Sequence, residues 1–108
     1  MPREKGPPKK ADLLKEVRRL VASGYYLETR HAQHRMRSRG ITRMEVYHVL
    51  RSGQHEEKRD VFKSEHGSWN YAIRGKTLDK DKELRVIVAI TQELGKEAAL
   101  VVTAINVT

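Results

Sequence analysis

TRHAQHRMRSRG, residues 29–40, is the stretch of this 108-residue sequence around which the fold is organised. Thr29 can cap the start of a helix with its hydroxyl, and Gly40 can supply the left-handed residue that commonly ends one. At about 3.6 residues per turn, Ala32 and Met36 point together toward a core. A second face carries imidazole, guanidinium and hydroxyl groups: His31, His34, Arg35, Ser38 and Arg39. The stretch predicts a short helix with Ala32 and Met36 buried and a cationic surface at least partly exposed.

The composition favours a small basic domain. The sequence has 22 Lys and Arg against 14 Asp and Glu, a formal net charge of +8 and a pI near 10.0, which places nucleic acid first among partner classes. No cysteine is present, so a disulfide framework, a thiolate metal site and a cysteine nucleophile are excluded. The longest apolar run is too short to span a bilayer, and no signal peptide is visible. We expect a cytoplasmic protein without a membrane partner.

The charge and helix patterns divide the chain into an arm and one domain. Residues 1–10 combine prolines with Arg and Lys and predict a disordered basic arm, and residues 11–108 predict a single domain. Apolar residues recur at helical spacing from Leu13 to Val21, after Asp12 as a cap and before Gly24 as a stop. Residues 25–28 then predict a short edge strand that leads into the central stretch.

The second half of the chain predicts one more helix followed by a sheet. Thr42 and Glu45 form a capping box for a helix that ends near residues 52–53. Residues 55–64 and 69–73 read as a hairpin, and residues 77–83 read as a solvated loop. Residues 84–90 and 100–105 have apolar side chains on both faces, which is typical of strands in the middle of a sheet. The fold class is therefore α+β: a mostly antiparallel sheet of four to five strands with three helices packed on it.

The central stretch also resembles a known family. Its motif residues are Thr29, His31-Ala32, Arg35-Met36 and Arg39-Gly40-Ile41, and these are similar to the motif of the prokaryotic family called domain of unknown function 4258. Families of this shape resemble the RelE-like toxin superfamily, which implies a curved sheet with helices on one side and, often, cleavage of mRNA. That resemblance implies a toxin-antitoxin system, with RNA, a ribosome and an antitoxin protein as partners. His34 departs from the motif, so no role is transferred to it.

Metal-independent RNA cleavage needs a proton acceptor, a proton donor and cations around the phosphate. His31 is the candidate base or acid, with Arg35 and Arg39 as phosphate clamps. Tyr71 and Arg74 on the sheet are its candidate partners in an endoribonuclease site. Further residues are expected to bind nucleic acid: Arg30, His34, Arg37, Arg43 and Arg85.

Three alternatives stay open at this point. His31 can be a structural residue that bonds the sheet, in which case the domain is a noncatalytic nucleic-acid-binding or regulatory module. The basic surface can instead bind an acidic protein partner. His31 and His34 have the spacing of metal ligands, but no nearby carboxylate or thiolate completes a set, so we expect no metal and no cofactor. Trp69 can stack on bases, although a Trp on an apolar strand face more often belongs to the core.

Overall fold

A computed structural model of the chain describes residues 7–79 and 81–108. In that part of the chain three α-helices precede most of the sheet, as the sequence predicts. The helices are α1 (Leu13–Ala22), α2 (Arg30–Ser38) and α3 (Arg43–Ser52). The strands are β1 (Tyr26–Glu28), β2 (Gln54–His55), β3 (Val61–Lys63), β4 (Ser68–Lys76), β5 (Glu83–Glu93) and β6 (Lys96–Asn106).

The six strands form one mixed sheet in the order β1-β6-β5-β4-β2, and β3 also pairs with β4. Strand β1 runs parallel to β6, whereas all the other pairings are antiparallel. The prediction of four to five strands was too low because the edge segment 55–64 is interrupted. A 3-10 turn, Glu57–Arg59, divides it into β2 and β3, which pair with successive parts of β4. The α+β class and the two mid-sheet strands β5 and β6 are confirmed.

The core lies between the helices and one face of the sheet. Helix α1 contributes Val17 and Leu20 and α3 contributes Val46, Val49 and Leu50, all completely or almost completely buried. Residues that alternate along β4, β5 and β6 supply the other side: Tyr71, Ile73, Leu84, Val86, Val88, Ala99, Val101 and Ala104. Close packing of α3 on β4 requires glycine at position 53, since a Cβ there would lie 2.6 Å from the carbonyl oxygen of Arg74.

The local signals around α2 act as the sequence predicts. The hydroxyl of Thr29 accepts a hydrogen bond from the amide of Ala32 at 2.9 Å, and Gly40 has a φ of +68°. The capping box of α3 is complete, because Thr42 and Glu45 each bond the other's backbone amide. Asp12 precedes α1 in the left-handed region and makes no side-chain cap, so that detail of the α1 prediction was wrong.

The loop after β4 and the N-terminal segment 7–10 both pack more closely on the domain than the sequence predicts. The loop after β4 is not solvated throughout, because Thr77 is only 1% exposed and its hydroxyl donates to Asp79 at 2.9 Å.

Of the predicted arm, residues 1–6 lie outside the described residues. Residues 7–10 lie against β4, where Lys10 donates its amide to the hydroxyl of Tyr71 at 2.8 Å.

Candidate functional site

Helix α2 lies along the outer edge of β6, beyond the point where β1 stops pairing. The amide of Thr29 donates to the carbonyl of Val101 at 3.0 Å, and Arg39 Nη1 donates to the carbonyl of Ala104 at 2.8 Å. Between these two anchors Ala32 and Met36 are buried in the core. The helix is therefore fixed to β6 at both ends. It lies along the part of the β6 edge that has no neighbouring strand.

The outer surface of α2 carries five basic or imidazole side chains that are all exposed. In residues 7–79 and 81–108, none of these five side chains forms an ion pair or a hydrogen bond. They are Arg30, His31, His34, Arg35 and Arg37. His31 and Arg35 are four residues apart and so share one flank of the helix. From residue 29 to residue 44 the sequence contains no acidic residue, so nothing local neutralises this surface.

The other two arginines of the same segment are engaged. Arg39 donates to the carbonyl of Ala104, as described above. Arg43 makes two hydrogen bonds of 2.8 Å with the carboxylate of Glu28, whose side chain is 3% exposed and also accepts from the hydroxyl of Tyr26. The Arg43 guanidinium, together with the Tyr26 hydroxyl, holds the pKa of Glu28 below its ordinary value. Arg39 and Arg43 thus join α2 and α3 to the sheet.

Tyr71 does not meet His31. Its side chain is 4% exposed within the core, and its hydroxyl accepts the amide of Lys10. The strand that carries it, β4, is separated from β6 by β5, a distance of about 10 Å between backbones. The structure does not bring Tyr71 into the exposed surface of α2.

Arg74 and Arg85 form a separate charged cluster on the sheet. They are direct cross-strand neighbours and alternate with the core residues of β4 and β5, so their side chains point away from the helices. Glu56 lies between them, with 2.6 Å from its Oε1 to Arg85 Nε and 3.4 Å from its Oε2 to Arg74 Nη1. Arg74 Nε also contacts Glu83 at 2.8 Å. The hydrogen bond from Arg85 and the neighbouring Arg74 lower the pKa of Glu56.

The sequence interpretation missed a carboxylate–imidazole pair next to this cluster. Asp60 has a fully buried side chain that accepts from His55 Nε2 at 2.8 Å and from the amide of Ala72 at 3.1 Å, and it forms an ion pair with Lys9 Nζ at 3.0 Å. In the sequence, Asp60 is marked only by its position: it is an acidic residue at the end of a short polar run that interrupts a strand pattern. The turn Glu57–Arg59 is what carries Asp60 inward, and it was not predicted.

A groove of about 670 Å³ opens on the sheet and begins at the residue that caps α2. Thr29, Leu100 and Val102 line one end of it, and residues of the β3–β4 hairpin line the other, among them Lys63 and Asn70. The groove combines apolar strand side chains with amide, hydroxyl and cationic groups and with one carboxylate, that of Glu65. The exposed surface of α2 and this groove meet at Thr29.

The family comparison matches the same region. A family description, Domain of unknown function (DUF4258), matches residues 29–106, from the cap of α2 to the end of β6. The chain belongs to the DUF4258 family. The DUF4258 match confirms the family resemblance seen in the motif, and it starts at Thr29, so α1 and β1 precede the matched part. No curated protein and no solved structure matches this sequence.

Two further properties of the described residues bear on the DUF4258 domain. None of its helices is long and apolar enough to cross a membrane. No three His, Asp or Glu side chains of residues 7–79 and 81–108 converge as metal ligands do, so His31 and His34 have no third ligand there.

Proposed function

We propose that this protein is an RNA-binding domain that grips phosphates with the exposed surface of α2. The observation that carries the proposal is the contrast between arginines: Arg30, Arg35 and Arg37 have no acceptor in the described residues, whereas Arg39 and Arg43 are held. Guanidinium groups without a carboxylate partner are the usual contacts of proteins with phosphate. In a single-stranded RNA the backbone would follow α2, and the bases would turn toward the groove that starts at Thr29.

Metal-independent ribonuclease activity is the second candidate, and the position of His31 favours it. His31 is exposed and lies one helical turn from Arg35, so a base and a phosphate clamp can reach the same nucleotide. The resemblance to RelE-like toxins adds an expectation of mRNA cleavage within a toxin-antitoxin system. Tyr71 is buried, so the second proton-transfer group in this mechanism is His34, which is also exposed.

The same cations would also attract an acidic protein segment, and an antitoxin is the partner of that kind that the resemblance implies. Binding of RNA and binding of an acidic protein segment differ in how strongly salt weakens them. An RNA complex loses counterions in proportion to the phosphates it contacts, whereas a protein segment adds apolar contacts that salt does not weaken.

The test is RNA binding at several salt concentrations. We expect a labelled single-stranded RNA to bind the wild type, with a slope of log K against log salt of about −2 because three phosphate contacts contribute about −0.7 each. The variant Arg30→Gln/Arg35→Gln/Arg37→Gln should lose most of this slope. Fluorescence anisotropy measures both quantities.

The matched control removes three exposed positive charges elsewhere, with Lys15→Gln/Arg51→Gln/Lys58→Gln. It has the same net charge as the α2 variant and should keep the wild-type slope. Equal losses of slope in the two variants would mean that net charge alone attracts RNA. If the wild type does not bind RNA at low salt, the RNA proposal fails and the hypothesis of an acidic protein partner remains.

A further inference from the structure

Residues 7–10, Pro-Pro-Lys-Lys, lie across the aromatic part of β4 and are called here the N-terminal strap. The indole N–H of Trp69 donates to the carbonyl of Pro7 at 2.8 Å, and the amide of Lys10 donates to the hydroxyl of Tyr71 at 2.8 Å. Both contacts join residues more than 60 positions apart. The strap is therefore held by side chains of β4 and not by its own neighbours in sequence.

The two lysines of the strap reach acidic side chains on either side of Trp69. Lys9 Nζ lies 3.0 Å from the buried carboxylate of Asp60 and 4.8 Å from the centre of the Trp69 ring, which is a cation–π distance. Lys10 Nζ lies 2.9 Å from Glu97, and this hydrogen bond raises the pKa of Lys10. Each cation thus has its own acceptor.

The receiving surface is built by the domain. Asp60 is fixed by the amide of Ala72 and by His55, so its position does not depend on Lys9. The ring of Trp69 packs at 5.6 Å on that of Phe62, and Trp69 also contacts the core. An aromatic platform with an indole donor and flanking carboxylates therefore exists on the folded domain.

These features resemble those with which folded domains recognise proline-rich peptides. Prolines pre-organise the peptide in an extended helix at low entropic cost, an aromatic groove receives them, and polar side chains bond their carbonyls. We propose that the Trp69 surface is a recognition site for a partner peptide of Pro-Pro-basic chemistry, and that the strap is its intrachain occupant. RNA is disfavoured here, because Asp60 and Glu97 would repel phosphate.

The experiment uses the fluorescence of Trp69, the single tryptophan of the chain. In the full-length variant Lys9→Gln/Lys10→Gln the strap loses its ionic contacts with Asp60, Glu57 and Glu97. We therefore expect red-shifted emission and about two-fold stronger quenching by acrylamide than in the wild type. The peptide Gly-Pro-Pro-Lys-Lys-Ala, added in trans, should reverse both changes saturably. The wild type should need more peptide, because the attached strap competes at an effective concentration of about 1 mM.

Two controls make the result specific. Lys15→Gln/Lys76→Gln removes two charges away from the strap and should leave the Trp69 emission at its wild-type value. The peptide Gly-Pro-Pro-Gln-Gln-Ala should have little effect on the strap variant. The proposal is overturned if the strap variant has wild-type emission and quenching, if it ignores the lysine peptide, or if both peptides act equally.

Discussion

At the residue scale, the charge of an arginine is available to a ligand only when no oxygen acceptor of the protein already holds it. Arg37 lies in the last turn of α2 and Arg39 directly follows the helix, yet only Arg39 reaches a carbonyl, that of Ala104. Arg43 has a carboxylate partner, Glu28, fifteen residues earlier in the chain. Sequence could show that this segment lacks acids, but the pairing of Arg43 depends on β1 and α3 packing together. That is why the sequence could not show which of the predicted binding residues also have a partner within the protein.

The residue-scale prediction concerns His31 and Arg35. If the protein cleaves RNA by attack of the 2′-hydroxyl, His31→Ala should abolish cutting and leave RNA affinity within about two-fold, since the arginines of α2 are the groups proposed to hold the phosphate. Arg35→Ala should weaken both binding and cutting, because it would hold the phosphate before and during the reaction. Cleavage with a chelator present, followed by analysis of the ends for 2′,3′-cyclic phosphate, measures the reaction.

His31→Gln serves as the control for shape and polarity, because it keeps a hydrogen-bonding side chain without a titratable group near neutral pH. It should be as inactive as His31→Ala. Full activity in either variant would remove His31 from the chemistry, and intact RNA with the wild type, with and without ribosomes, would leave binding as the function.

At the element scale, α2 is a nine-residue helix that would be marginal by itself, so its contacts with β6 decide whether it forms. Its boundaries were predictable because Thr29 and Gly40 act locally, as do Thr42 and Glu45 for α3. The division of the edge strand was not predictable, because the turn Glu57–Arg59 is stabilised by the tertiary contacts of Asp60 with His55 and Ala72. Local signals determined the helices, and long-range contacts determined the sheet edge.

The element-scale prediction tests the cap of α2. Thr29→Ala removes the acceptor of the Ala32 amide and should lower the free energy of unfolding by about 1 kcal/mol, which is the typical cost of losing a hydroxyl cap. Thr29→Ser keeps the oxygen and should lose less than half of that. Urea denaturation followed by circular dichroism measures both variants. Equal losses would show that the methyl group of Thr29, and not its hydroxyl, stabilises this end of the helix.

At the scale of the whole molecule, carboxylates join elements that are distant in sequence, in a protein with a net charge of +8. Glu28 joins β1 to α3 through Arg43, and Glu56 joins the edge of the sheet to β5 through Arg85. In both cases the arginine lowers the pKa of the glutamate in the folded protein. These acids lie far from their arginines in sequence, so neither ion pair could be predicted from spacing.

The stability of the folded protein should therefore decrease in acid, and the carboxylate of Glu28 should account for part of that decrease. Because the folded pKa of Glu28 lies below the unfolded value of about 4.3, its stabilising effect is complete above that value and is lost as the pH falls toward the folded pKa. The melting temperature should be nearly constant from pH 6 to pH 5 and should fall from about pH 4.5 downward. Glu28→Gln should be less stable at pH 7 and should show a shallower acid decrease, since it has one fewer group to protonate.

Glu65→Gln, an exposed position that has no ion pair in the described residues, should keep the wild-type profile. An acid decrease in Glu28→Gln as steep as that of the wild type would assign the sensitivity to other carboxylates, and Glu56→Gln would then be the variant expected to flatten it.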